Sequence, residues 1–109
     1  MHELALMQSL VATVEEQVAD RVTRVRLEIG RLTAVVPDAL RFCFDVCARG
    51  TRLEGAVLEI VDVAPRARCA ACGREDEIES DLLLRCACGS ADLSLLAGEE
   101  LRIAEVEVS

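Results

Sequence analysis

The sequence predicts an α+β fold: two helices on a small three-stranded mixed sheet, with a metal-stapled insert hung between the last two strands. Three observations predict it. Two segments carry apolar residues at helical spacing, three alternate with the period of a strand, and one stretch between Pro65 and Gly98 has neither pattern but holds four cysteines.

Residues 3–19 read as an amphipathic helix, since Leu4, Met7, Leu10, Val11, Val14 and Val18 recur at spacings of three and four while Gln8, Glu15 and Glu16 fall opposite. Val22 to Gly30 alternates: Val25, Leu27 and Ile29 on one face, Arg24, Arg26 and Glu28 on the other, which predicts a strand with one wet face. Pro37 and Asp38 open a second helix whose apolar positions are Leu40, Phe44 and Cys47, flanked by Cys43, with Gly50 as its stop. Ala56 to Val63 predicts a second strand, more apolar than the first and therefore expected at the centre of the sheet. Leu101 to Val108 predicts a third strand. Its alternation changes phase, with Leu101 and Ile103 on one face and Val106 and Val108 on the other, so a bulge is expected near Ala104–Glu105. Residues 1–64 plus 99–109 are thus expected to form one domain and residues 65–98 a second, ribbon-like one.

Composition narrows the function. The chain has 109 residues, 52% hydrophobic against 29% charged, which excludes an intrinsically disordered protein. The net charge is −8, all twelve basic residues are Arg, and two Phe with no Trp or Tyr leave nothing for bases to stack on. A negative field repels phosphate, so no nucleic-acid partner is expected; within the insert Arg66, Arg68, Arg74 and Arg85 are interleaved with Glu75, Asp76, Glu77, Glu79 and Asp81. Acids are scattered through the first twenty residues, so no signal peptide is expected, and no uncharged run is long enough for a membrane-spanning helix. The expected location is the cytoplasm, where six cysteines point to metal or thiol chemistry rather than disulfides.

Cys69-Ala-Ala-Cys72-Gly73 and Cys86-Ala-Cys88-Gly89 are two cysteine pairs, each followed directly by glycine. This pattern points to a structural zinc site of four thiolates, Cys69, Cys72, Cys86 and Cys88, with a disulfide framework or an iron–sulfur cluster as the other readings of the same residues. A segment this short with so little core needs such a staple to fold. A closed four-thiolate site has no open position, so the ion would not be catalytic. The second pair is tighter than the usual Cys-x-x-Cys. Cys43 and Cys47, four residues apart on the second helix, could clamp a metal, but their apolar setting reads as core packing.

His2 is the sole histidine. A free α-amine, the amide nitrogen of residue 2 and its imidazole can close fused chelate rings around one ion, with a further amide such as that of Glu3, a side-chain oxygen or a water as the fourth donor. Such nitrogen-rich planar coordination suits Ni²⁺ or Cu²⁺. The other reading is an ordinary residue at a helix end. With one histidine and no Lys, the inventory for acid–base or nucleophilic catalysis is too thin for an enzyme.

The order of these pieces resembles the HypA/HybF family of hydrogenase-maturation nickel chaperones. The resemblance is carried by Met1-His2-Glu3-Leu4, Val25-Arg-Leu-Glu-Ile-Gly30 with Leu32, Phe42-Cys-Phe-Asp45 with Gly50-Thr51, and Glu54-Gly-Ala-Val-Leu-Glu-Ile60. The two cysteine pairs, Gly98-Glu-Glu-Leu-Arg-Ile103 and Val106-Glu-Val108 complete it. It implies delivery of Ni²⁺, as cargo, to the large subunit of a [NiFe] hydrogenase alongside the GTPase HypB; in some bacteria such proteins also serve urease maturation. It further implies nickel held at Met1, His2 and Glu3, and structural Zn²⁺ at Cys69, Cys72, Cys86 and Cys88. Cys86-x-Cys88 departs from the family's Cys-x-x-Cys. A monomer or weak homodimer is expected, and the competing function is a zinc-ribbon adaptor that carries no nickel.

Overall fold

The computed structural model describes residues 3–78, 86 and 88–109. By its internal contacts the chain divides into two compact units, Met1–Leu27 with Ala34–Val61 and Arg102–Ser109, and Glu28–Thr33 with Asp62–Leu101.

The first unit holds helices α1 (Glu3–Gln17) and α2 (Pro37–Ala48) and most of strands β1 (Val22–Gly30), β2 (Val57–Val63) and β6 (Leu101–Val108), whose remaining residues, 28–30, 62–63 and 101, fall in the second. The strands form a three-stranded mixed sheet in the order β2-β1-β6. Met7, Leu10, Val11 and Val14 of α1 are buried together with Leu40, Phe44 and Ala48 of α2 and Val22, Val25 and Leu27 of β1. The apolar stripe of α1 is shorter than expected: Leu4 is 47% exposed, and Val18 lies one residue beyond the helix, its amide still donating to the Val14 carbonyl at 2.9 Å. No basic residue stands in the last turn of α1. Arg52, from the loop after α2, takes that place, its guanidinium donating to the carbonyls of Glu15 and Val18 and pairing with the Glu15 carboxylate at 3.1 Å. A cation there complements the negative end of the helix dipole and satisfies its last carbonyls.

Pro37 occupies the first turn of α2, where its missing N–H costs nothing. The chain leaves α2 through Gly50 at φ +76°, and Thr51 closes the turn by donating its hydroxyl to the Ala48 carbonyl at 2.7 Å.

The sheet corrects one expectation. β1, not the more apolar β2, is the central strand. The charges alternating along β1 do not mark an edge, because neighbours on both sides supply partners on the open face. Arg24 pairs with Glu59 at 3.4 Å and Glu107 at 3.6 Å, and Arg26 with Glu105 at 2.8 Å and Glu59 at 3.5 Å. The apolar excess of β2 is partly spent in solvent, with Val57 59% exposed. On β6 the burial phase changes where the sequence predicts, with Leu101 and Ile103 half-buried, Ala104 and Glu105 both exposed and Val106 half-buried, but Val108, expected beside Val106, is 44% exposed.

The second unit contains what the sequence left without periodic structure. Strands β3 (Arg66–Cys69), β4 (Glu75–Glu77) and β5 (Leu93–Ala97) form an antiparallel sheet in the order β4-β3-β5. These strands of three to five residues are too short to show a period. Ala67 and Cys69 are buried and Arg66 and Arg68 exposed; Arg68 faces its register partner Glu75 across the ladder at 3.0 Å. A 3₁₀ turn, Arg31–Thr33, also belongs to this unit.

Candidate metal centre

Cys69 ends β3 and is buried; Cys72 lies in the turn that follows and is exposed. That turn is closed by two backbone hydrogen bonds: Gly73 N–H donates to the Cys69 carbonyl at 2.7 Å, and Cys69 N–H donates to the Arg74 carbonyl at 2.9 Å. Gly73 sits at φ +76°, a conformation only glycine adopts cheaply. The second turn repeats this closure one residue shorter. Gly89 N–H donates to the Cys86 carbonyl at 2.9 Å, and Cys86 N–H to the Ser90 carbonyl at 2.9 Å, with Gly89 at φ +94°. Cys86-x-Cys88 is therefore the same knuckle with one residue removed, and both of its bonds are kept. Ala70 N–H donates to the Asp92 carbonyl at 2.9 Å, tying the chain beside the first knuckle to the strand leaving the second.

The two knuckles bring all four sulfurs to within 4.8 Å of one another. Cys69 Sγ is 3.7 Å from Cys88 Sγ, and Cys72 Sγ is 3.5 Å from Cys86 Sγ. A disulfide needs about 2.05 Å, so these are free thiols. A zinc ion with bonds of about 2.3 Å to four tetrahedral sulfurs would hold them about 3.8 Å apart. The donor set and its spacing thus fit a thiophilic ion in a closed tetrahedral site.

The surroundings prepare one sulfur for a metal. Donation from the Cys72 amide, with lesser help from the Ala71 amide and the thiols of Cys88 and Cys72, outweighs burial and lowers the Cys69 thiol to about 6. For Cys72 the Arg74 amide works in the same direction, but hydrogen bonding to Cys86, desolvation and the neighbouring sulfurs of Cys69 and Cys88 outweigh it and push the thiol up to about 12. Cys88 is likewise raised: the Ser90 amide lowers it, but Cys86, Cys69 and burial prevail. One thiolate forms readily, and its charge resists the next until a cation neutralises them.

The backbone amides of Ala71, Cys72, Arg74 and Ser90, which point at the sulfurs, are the part of the centre the cysteine spacing did not name; the glycine after each pair was their only sequence signal. Of the residues considered for nickel, Met1 and His2 lie outside the described residues, and Glu3 is the half-buried first residue of α1. Cys43 and Cys47 lie half-buried on α2 as free thiols, at the border of the core rather than within it.

The fold and the site define a two-unit α+β metal-binding protein with a closed four-thiolate centre in a small antiparallel ribbon. The chain belongs to the HypA family: the family model described as hydrogenase/urease nickel incorporation, metallochaperone, matches residues 1–108. Hydrogenase maturation factor HypA of Trichormus variabilis is 51% identical over 109 residues, covering 99% of this chain and 96% of that one. The protein of the same name from Geobacter metallireducens is 45% identical, covering 99% of each. A solution structure of HypA protein superposes with a TM-score of 0.75 at 25% identity, covering 100% of this chain and 97% of that one. The Ni metallochaperone HypA of Helicobacter pylori shares the fold with a TM-score of 0.71 at 24% identity, covering 99% and 97%. The family is one of carriers for nickel incorporation, so this chain is a metallochaperone and not an enzyme. No helix among the described residues is long and apolar enough to cross a membrane.

Proposed function

We propose that this chain carries Ni²⁺ at its amino terminus and delivers it to the large subunit of a [NiFe] hydrogenase, together with the GTPase HypB. The ligands are the Met1 amine, the His2 amide and imidazole, and Glu3. Cys69, Cys72, Cys86 and Cys88 hold structural Zn²⁺. Residues 1–64 plus 99–109 are the nickel-binding domain and residues 65–98 the zinc ribbon. The observation that carries the reading is the placement of the chain's sole histidine at position 2, in a sequence that matches a nickel-incorporation family from residue 1 to residue 108. Nitrogen-rich planar coordination there suits a d⁸ ion that must be held and then released. The all-sulfur centre suits zinc, whose role is to fold the ribbon. Six free thiols fit work in the reducing cytoplasm. Maturation proteins of urease are further partners of the same chemistry, and the carrier acts as a monomer or weak homodimer.

The test is a Ni²⁺ titration of untagged, zinc-loaded protein beside His2→Ala, read by calorimetry and absorption. The expected result is about one ion per chain with a planar-type spectrum, lost in the variant. Equal binding by both proteins would place nickel on the cysteines and leave a zinc-ribbon adaptor as the function.

A further inference from the structure

Cys43 and Cys47 are the two thiols that the four-sulfur centre does not use. One turn apart on α2, they lie on one strip of the helix with Cβ atoms about 5–6 Å apart, a gap that two sulfurs turned toward each other can bridge through a single ion. The strip borders the core without joining it: Leu40, Phe44 and Ala48 are closed off from solvent, whereas both cysteines are half-buried. Beside them Phe42 and Val46 are exposed, so the surroundings are apolar yet open to water. A cysteine kept only as a small hydrophobe gains most from complete burial, which neither has.

The donor set selects the ligand. Among the described residues, the one group of three or more His, Cys, Asp or Glu side chains placed to share an ion is the four-cysteine centre, so no third side chain of these types joins Cys43 and Cys47. Two sulfurs do not satisfy tetrahedral zinc, and they do not suit the oxygen-seeking cations. They do suit a soft ion content with two ligands, for which thiolates select Cu(I). Burial and the nearby Cys43 push the Cys47 thiol up. Cys47 is thus held toward its protonated form in the free protein, and a cation between the sulfurs removes the repulsion that opposes its thiolate.

We propose that Cys43 and Cys47 form a two-coordinate site for a soft monovalent cation of the Cu(I) class, separate from the four-cysteine centre. On binding, two S–H protons leave to solvent and two Cu–S bonds form, with no change in the oxidation state of copper or sulfur. The site does not depend on nickel carriage.

The experiment uses full-length, zinc-loaded protein under anaerobic conditions, titrated with Cu(I) against a colorimetric Cu(I) chelator while zinc content is followed. The expected result is one Cu(I) per chain, undiminished in His2→Ala and weakened by at least about tenfold in Cys43→Ser and in Cys47→Ser, with zinc and helical circular dichroism unchanged. A measurement without variants accompanies it: Cu(I) should protect Cys43 and Cys47 of the wild type from alkylation, read by peptide mass spectrometry. Absence of Cu(I) uptake, uptake matched by zinc release, or uptake that leaves both cysteines open to alkylation would each overturn the site.

Discussion

A β-carbon added to Gly30 would fall on the carbonyl group of Gly98 and within 2.5 Å of the Glu99 amide nitrogen. The two glycines cross at backbone contact. Gly30 N–H donates to the Glu100 carbonyl at 2.7 Å, Leu32 N–H to the Gly98 carbonyl at 2.9 Å, and Gly98 N–H to the Glu100 carboxylate at 2.7 Å. Gly98 also stands at φ +116°, where a β-carbon would approach Pro65 Cα to 2.8 Å. Gly30→Ala and Gly98→Ala should each destabilise the protein by about 3 kcal/mol or more, because the obstacle is backbone that cannot turn aside. Urea unfolding of the zinc-loaded variants measures it; a loss below about 1 kcal/mol would show that the crossing yields.

Arg52 should matter beyond its charge. It closes the carboxyl end of α1, which has no basic residue of its own. Arg52→Met keeps the aliphatic stem and removes the cap, and should cost about 1–2 kcal/mol. Hydrogen exchange of the last turn of α1 should quicken in step. Unchanged exchange there would assign the loss elsewhere.

Since the second knuckle is the first one shortened by a residue, lengthening it should be tolerated. Inserting one alanine between Cys86 and Cys88 should leave one zinc per chain with an affinity within about tenfold of the parent, whereas Cys88→Ser should weaken zinc by about 100-fold or more. Competition with a zinc chelator distinguishes these outcomes. Loss of zinc on insertion would mean that the tight turn is itself required.

In reduced, zinc-free protein, one thiolate per chain should titrate near pH 6 and vanish in Cys69→Ser, as followed by thiolate ultraviolet absorbance. The sign for stability follows. Cys69, lowered from 9.0 to about 6, contributes stability that is fully present above about pH 9 and is lost as pH falls toward 6. Cys72, raised from 9.0 to about 12, contributes stability that is present below about pH 9 and is lost as pH rises toward 12. The metal-free ribbon should therefore resist urea best near pH 9. Zinc removes the upper limb by neutralising the cluster.

Nickel affinity should fall as pH drops through about 6.5, the ordinary imidazole range, because protonating His2 competes directly with the ion. Titrations between pH 5 and 8 measure this. A flat profile would remove His2 from the ligand set.

Much of this molecule was legible in its residues because the signals are local. Val25, Leu27 and Ile29 announce the strand Val22–Gly30 through alternation, and Pro37–Ala48 announces a helix through its proline and apolar spacing. The two Cys-Gly pairs announce a four-thiolate centre because ligand spacing is written along the chain. The phase change on β6 was equally visible. The short strands β3, β4 and β5 were not, since nothing periodic holds segments of three to five residues. They exist through pairing with distant residues and through the knuckles that anchor them.

What the sequence determined by itself was the type and order of the longer elements and the identity of the four thiols, properties set by neighbours along the chain. What only the tertiary structure decided was which strand lies at the centre, that Arg52 caps a helix 35 residues upstream, and that Gly30 and Gly98 must both lack a side chain. Each of those depends on groups that meet only after the chain has folded back on itself, so no local pattern records them.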